Sequence, residues 1–105
     1  MIVDNLTPPY YAVIFTTVLN AEIDGYLETA QHMEELAKLQ NGYLGIESAR
    51  SEVGITVSYW KSLDDILNWK NNVEHTEARN LGRGKWYKKY QLRICKVERE
   101  YGFEK

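Results

Sequence analysis

The stretch Ile55-Thr56-Val57-Ser58-Tyr59-Trp60-Lys61-Ser62, running straight into Leu63-Asp64-Asp65-Ile66-Leu67-Asn68-Trp69-Lys70, decides the fold. Its first half is dense in β-branched and aromatic side chains, the composition of a strand. Ser62, with Asp65 three residues on, carries the pattern of a helix N-cap. A strand is therefore expected over Gly54 to Lys61 and a helical region from Ser62 to about Asn80. The Asn71-Asn72 pair is expected to bend or break that region, because asparagine competes with the helix backbone. Leu81-Gly82-Arg83-Gly84 ends it, and Tyr90 to Tyr101 reads as the closing strand.

Working outward, Tyr43 to Ala49 forms a preceding strand, joined to Gly54 through a short hairpin connection, Arg50-Ser-Glu-Val-Gly54. Before it, Tyr26, Leu27, Ala30, Met33, Leu36, Ala37 and Leu39 recur at three and four, which gives a helix from Asp24 to about Gln40 stopped by Asn41-Gly42. Tyr10 to Leu19 is the first strand, after a polar lead containing Pro8-Pro9. The order β-α-β-β-α-β is the ferredoxin-like α+β topology, with both helices on one face of a four-stranded antiparallel sheet. Several strands nevertheless carry apolar residues on both faces: Val13 and Phe15 against Ile14 and Val18, Val57 and Tyr59 against Trp60. The uncovered face is expected to pack on the same face of a second copy, giving a homodimer.

With 105 residues, 44% of them hydrophobic, the sequence predicts one domain over 1–105 with its core over about 10–101. Thirteen Lys plus Arg against 15 Asp plus Glu leave a formal charge of −2, which excludes a dedicated polyanion binder and so a nucleic-acid partner. No run approaches the roughly 18 apolar residues that span a bilayer, and no leader pattern is present, so no membrane partner is implied and the cytoplasm is the expected compartment. Cys95 is the single cysteine and reads as a small core hydrophobe. His32 has no second histidine at metal-ligand spacing, so no metal site is implied. Gly82-Arg83-Gly84 lacks the residues of a phosphate loop, and neither Ser58 nor Ser62 stands in a nucleophile elbow.

His75 and Arg79 are one helical turn apart and share a helix face, flanked by Asn72. If that face turns toward the sheet, an imidazole titrating near neutrality and a fixed cation stand beside whatever Tyr59, Trp60 or Trp69 enclose. The bland readings are an exposed histidine, an Arg79 paired with Glu74 or Glu77, and tryptophans that only fill the core. Of the alternating pair Tyr59 and Trp60, Tyr59 is expected to face the helices, since it shares a face with Ile55 and Val57.

The set Tyr59-Trp60-Lys61-Ser62, Trp69-Lys70, Glu74-His75, Gly82-Arg83 and Trp86-Tyr87 resembles the antibiotic biosynthesis monooxygenase-like group over the whole domain. The resemblance implies a dimeric α+β barrel. The activities it brings with it range from metal- and flavin-free oxidation of phenols or quinol precursors to haem degradation, and many members have none assigned. In the haem-degrading branch a histidine follows the helix tryptophan by ten positions. Here Arg79 stands ten after Trp69 and His75 only six, and a guanidinium cannot serve as an axial iron ligand. The first strand also lacks that branch's asparagine. The expected function is thus a cofactor-independent monooxygenase acting on a small aromatic or quinol-like compound. His75 would accept a proton and Arg79 hold the resulting anion, with Tyr59, Trp69, Asn72 and Trp86 forming the pocket. The alternatives are a non-catalytic dimeric barrel that binds a hydrophobic metabolite and, more weakly, a haem-binding protein.

Overall fold

In the computed structural model, which describes residues 2–80 and 83–105 with side chains except at 75–80, 83 and 84, the chain runs β1 (Tyr10–Leu19), α1 (Tyr26–Lys38), β2 (Tyr43–Arg50), β3 (Gly54–Trp60), α2 (Leu63–Asn80), the short α3 (Arg83–Trp86) and β4 (Tyr87–Val97). The strands form one antiparallel sheet in the order β2-β3-β1-β4. Ala37 of α1 and Ile66 of α2 are buried against Val13 and Trp60, so both helices lie on the same face. This is the ferredoxin-like α+β architecture that the order of elements predicts.

Trp60 anchors that face. It is 0% exposed, stacks on Trp69 of α2 with ring centroids 5.7 Å apart, and meets Tyr43 edge-on. Its indole N–H donates to Ser58 Oγ at 2.9 Å on the same side of β3. Ser62 caps α2 as expected: its Oγ accepts from the Asp65 amide at 3.1 Å and donates to the Asp65 carboxylate at 2.8 Å.

Several expectations are corrected. Trp60, and not Tyr59, faces the helices; Tyr59 projects from the outer face, where it meets Tyr10. The Asn71-Asn72 pair does not break α2, because the Asn72 amide turns outward to Gln40 Oε1 at 3.0 Å and to the Asn68 carbonyl at 3.2 Å and leaves the helix backbone intact. α1 begins at Tyr26, since Gly25 takes a left-handed φ of 81° and no side chain caps the helix. β4 begins three residues earlier than expected and stops at Val97. Cys95 lies on that edge strand and is exposed.

The outer face is covered in part by the chain itself. The N-terminal arm crosses it at β2: the Val3 amide donates to Glu47 Oε2 at 3.0 Å, and Val3 packs so close to Gly45 that a Cβ there would lie 2.8 Å from its methyl groups. β4 receives less cover. Nearly every residue along it is exposed, on both faces, and its outer edge pairs with no strand among the described residues.

Candidate functional site

One row of residues crosses the helix side of the sheet. Arg50 pairs with Gly54, Gly54 with Thr17, and Thr17 with Tyr90, so these four lie side by side on β2, β3, β1 and β4. Cross-strand neighbours on one face are near enough for their side chains to touch. The absence of a side chain on Gly54 lets Arg50 lie flat across β3; a Cβ at Gly54 would fall inside the guanidinium. Arg50 Nη2 thereby reaches Thr17 Oγ1 on β1, a residue only 2% exposed. The same nitrogen donates to the Tyr26 hydroxyl at 3.4 Å, and the guanidinium carbon stands 5.8 Å from the centre of the Tyr26 ring, an attractive cation–π placement.

Beside this cation is an aromatic floor. Phe15 meets Tyr87 at 5.6 Å and Tyr90 at 5.4 Å between ring centroids. Tyr26, from the start of α1, meets Tyr87 and Trp86 edge-on at 6.0 and 5.9 Å. A register shift in the β1–β4 ladder between Val18 and Leu19 makes this possible: Leu19 pairs with Tyr87 and Val18 with Lys89. The bulge places Tyr87 and Tyr90, three apart in sequence, on the same face of the sheet. Leu92 extends the floor beside Phe15 and is 45% exposed.

The residues singled out from the sequence do not all gather here. Trp86 belongs to the floor's rim, buried, with its indole N–H donating to the Asp24 carbonyl at 2.9 Å. Trp69 lies elsewhere along the helix side, stacked on Trp60, and Asn72 is bonded to Gln40 at the exit of α1. His75 and Arg79 fall on α2, but their side chains lie outside the described residues.

Tyr59 belongs to a different group on the outer face. Its hydroxyl donates to Glu47, which also takes the Val3 amide, while Tyr10 donates to Glu100 Oε1 at 2.7 Å and its ring meets Tyr59 at 5.8 Å. The hydrogen bond from Tyr59, and after it the amide of Val3, hold the Glu47 carboxyl below the usual carboxylate range. Burial first, then the bond to Glu100, pushes Tyr10 up to about 12. Tyr59 is raised further, by burial and then by its bond to Glu47. This cluster ties both ends of the chain to the sheet.

Arg50, Gly54, Thr17 and Tyr26 were not marked by the sequence as site residues. The signal that could have found them is the hairpin register, which sets a long cation opposite a glycine. Among the described residues no group of histidine, cysteine and carboxylate side chains is arranged to hold a metal, and no helix is long and apolar enough to cross a membrane.

The chain matches no family profile. It is 48% identical over 99 residues to the uncharacterized protein YqjZ of Bacillus subtilis (strain 168), an alignment covering 92% of this chain and 87% of that protein. Among solved structures it resembles PA3566 from Pseudomonas aeruginosa, with a TM-score of 0.67 and 13% identity over 92% of this chain and 100% of that one. It also resembles a Bordetella bronchiseptica protein described as a candidate antibiotic biosynthesis monooxygenase, with a TM-score of 0.64 and 15% identity over 84% of this chain and 96% of that one. At such identities the likeness establishes the fold and no reaction. The chain shares its fold with these two structures, and by its sequence it belongs to the family of the uncharacterized protein YqjZ.

Proposed function

We propose that this protein is a cofactor-independent monooxygenase that oxidises a small aromatic or quinol-like compound on the helix side of its sheet. One observation carries the reading: a floor of aromatic rings, half-buried Phe15 and Tyr87 with Tyr90 exposed, and the Arg50 guanidinium fixed at its edge. Rings of this kind bind a flat substrate by stacking and edge-to-face contact.

The chemistry asks little more. A base removes a proton from the reduced substrate, and the anion passes an electron to dioxygen. The substrate radical and superoxide then combine to a hydroperoxide, which loses water to leave a carbonyl. One oxygen atom enters the product and the other departs as water with the two hydrogens of the substrate. A fixed cation favours this course by stabilising the anion on which the electron transfer depends. On sequence chemistry the base is His75, with Arg79 as a second cation.

Oxygen uptake over a panel of phenols and quinols is the test. The wild type should consume oxygen with at least one of them, and His75→Ala should slow it by about 10²-fold or more, the usual worth of a positioned base. Equal uptake by the two proteins removes His75 from the mechanism. The non-catalytic alternative draws on the Trp60–Trp69 stack, which fills another part of the helix side with side chains.

We also propose that the working unit is a homodimer joined through the sheets. The chain exposes 7835 Å², whereas a monomer of its 12.3 kDa mass ordinarily exposes about 6,100 Å². The surplus, roughly 1,700 Å², is about twice what one partner contributes to an interface of standard size.

A further inference from the structure

A guanidinium carries five N–H donors in a planar fork. In Arg50 the two on Nη2 face Thr17 Oγ1 and the Tyr26 hydroxyl. Among the described residues, Nε and Nη1 have no acceptor, and no carboxylate stands within ion-pairing distance of Arg50. An arginine whose only task is to hold a hairpin normally pairs with an acid or with backbone carbonyls. This one is held in place by neutral hydroxyls and by the bare backbone of Gly54, so among the described residues its charge and the N–H groups of Nη1 are left unanswered beside aromatic rings.

We propose that the Nη1 end of Arg50 is the anion-recognition group of the site, and that the site takes flat aromatic compounds bearing an ionised oxygen substituent, a carboxylate or phenolate. The inference rests on the reading of the aromatic floor as the substrate surface and adds which compounds it selects. Thr17 and Tyr26 fix one end of the fork. Nη1 then meets the anion, while the ring to which the anion is attached lies on Phe15 and Tyr90. Gly54 is a positioning residue: any side chain there displaces the guanidinium without removing its charge.

The probes are 2-naphthoate and its neutral isostere 2-naphthamide, titrated into the full chain and followed by quenching of intrinsic fluorescence at low and high salt. The wild type should bind the acid about tenfold more tightly than the amide, in line with one charge-assisted contact, and salt should narrow the gap. Arg50→Gln should bring the acid down to the affinity of the amide and leave the amide unchanged. Arg50→Lys should recover only part of the preference, since an ammonium lacks the fork. Gly54→Ala, folded as judged by circular dichroism, should lose most of the preference with the arginine still present. Equal affinity of the wild type for acid and amide, or a preference that survives Arg50→Gln, overturns the proposal and leaves oxygen uptake unaffected as a separate question. An intact preference with no oxygen consumed by any aromatic acid or phenol sinks the monooxygenase reading and upholds this one.

Discussion

Glu47 and Tyr10 carry pH signatures of opposite sign. A carboxyl whose folded pKa is depressed contributes stability that is present above its unfolded value and is lost as the pH falls through the folded one. Glu47 should therefore destabilise the protein as the pH drops below the ordinary carboxylate range near 4.5. Glu47→Gln should be less stable than the wild type at pH 7 by about 1 kcal/mol, after allowance for partial exposure, and the two should converge in acid. Urea unfolding at several pH values checks this, and parallel profiles would refute it. Tyr10 acts at the other end. Its folded pKa, raised from 10.0 to about 12, means that its contribution is intact below pH 10 and is lost between 10 and 12. Tyr10→Phe should remove that alkaline slope. None of this was legible in the sequence: Tyr10 and Glu100 lie ninety positions apart, and only the finished register sets Glu47 beside Tyr59.

At the scale of elements, large side chains of the helices hold them to the sheet, so each matters. α2 is fastened by Ile66, only 5% exposed, and by Trp69 on Trp60. Ile66→Ala should cost about 3 kcal/mol, the cost of removing most of a buried aliphatic side chain into a packed core, read from the urea midpoint with an unchanged slope. A loss below about 1 kcal/mol would mean that α2 docks by other contacts. Element types were readable because their signals are local: Ser62 with Asp65 announces α2, and the spacing of apolar residues announces α1. Strand parity was not. Tyr59 and Trp60 are both amphipathic aromatics, and what decides between them is the helix layer above, where Ala37 and Ile66 leave room for an indole. Arg50 was hidden for a related reason, since its meaning depends on Gly54 across the hairpin and Thr17 one strand further on.

For the whole molecule, shape points the same way as exposed area. The radius of gyration is 14.3 Å, against about 12.9 Å for an ordinary domain of this length. The surplus of exposed area includes the bare β4 and a terminal stretch in which Tyr101 and Phe103 are 87% and 90% exposed. Sedimentation at micromolar concentration should give the mass of two chains. Ile55→Glu, on the outer face of β3 at 46% exposure, should return the mass of one with the secondary structure intact. A wild type that sediments as a single chain would end the dimer proposal.

The face-on contact between Trp60 and Trp69 has a practical consequence. Two indoles so close and so nearly parallel share their electronic transitions, whereas the third tryptophan, Trp86, sits among tyrosines near the start of α1. The coupled pair is thus a built-in optical gauge of whether the second helix is seated, and Trp86 reports independently on the first. Stopped-flow dichroism and emission recorded together would therefore time the arrival of each helix on the sheet without any label.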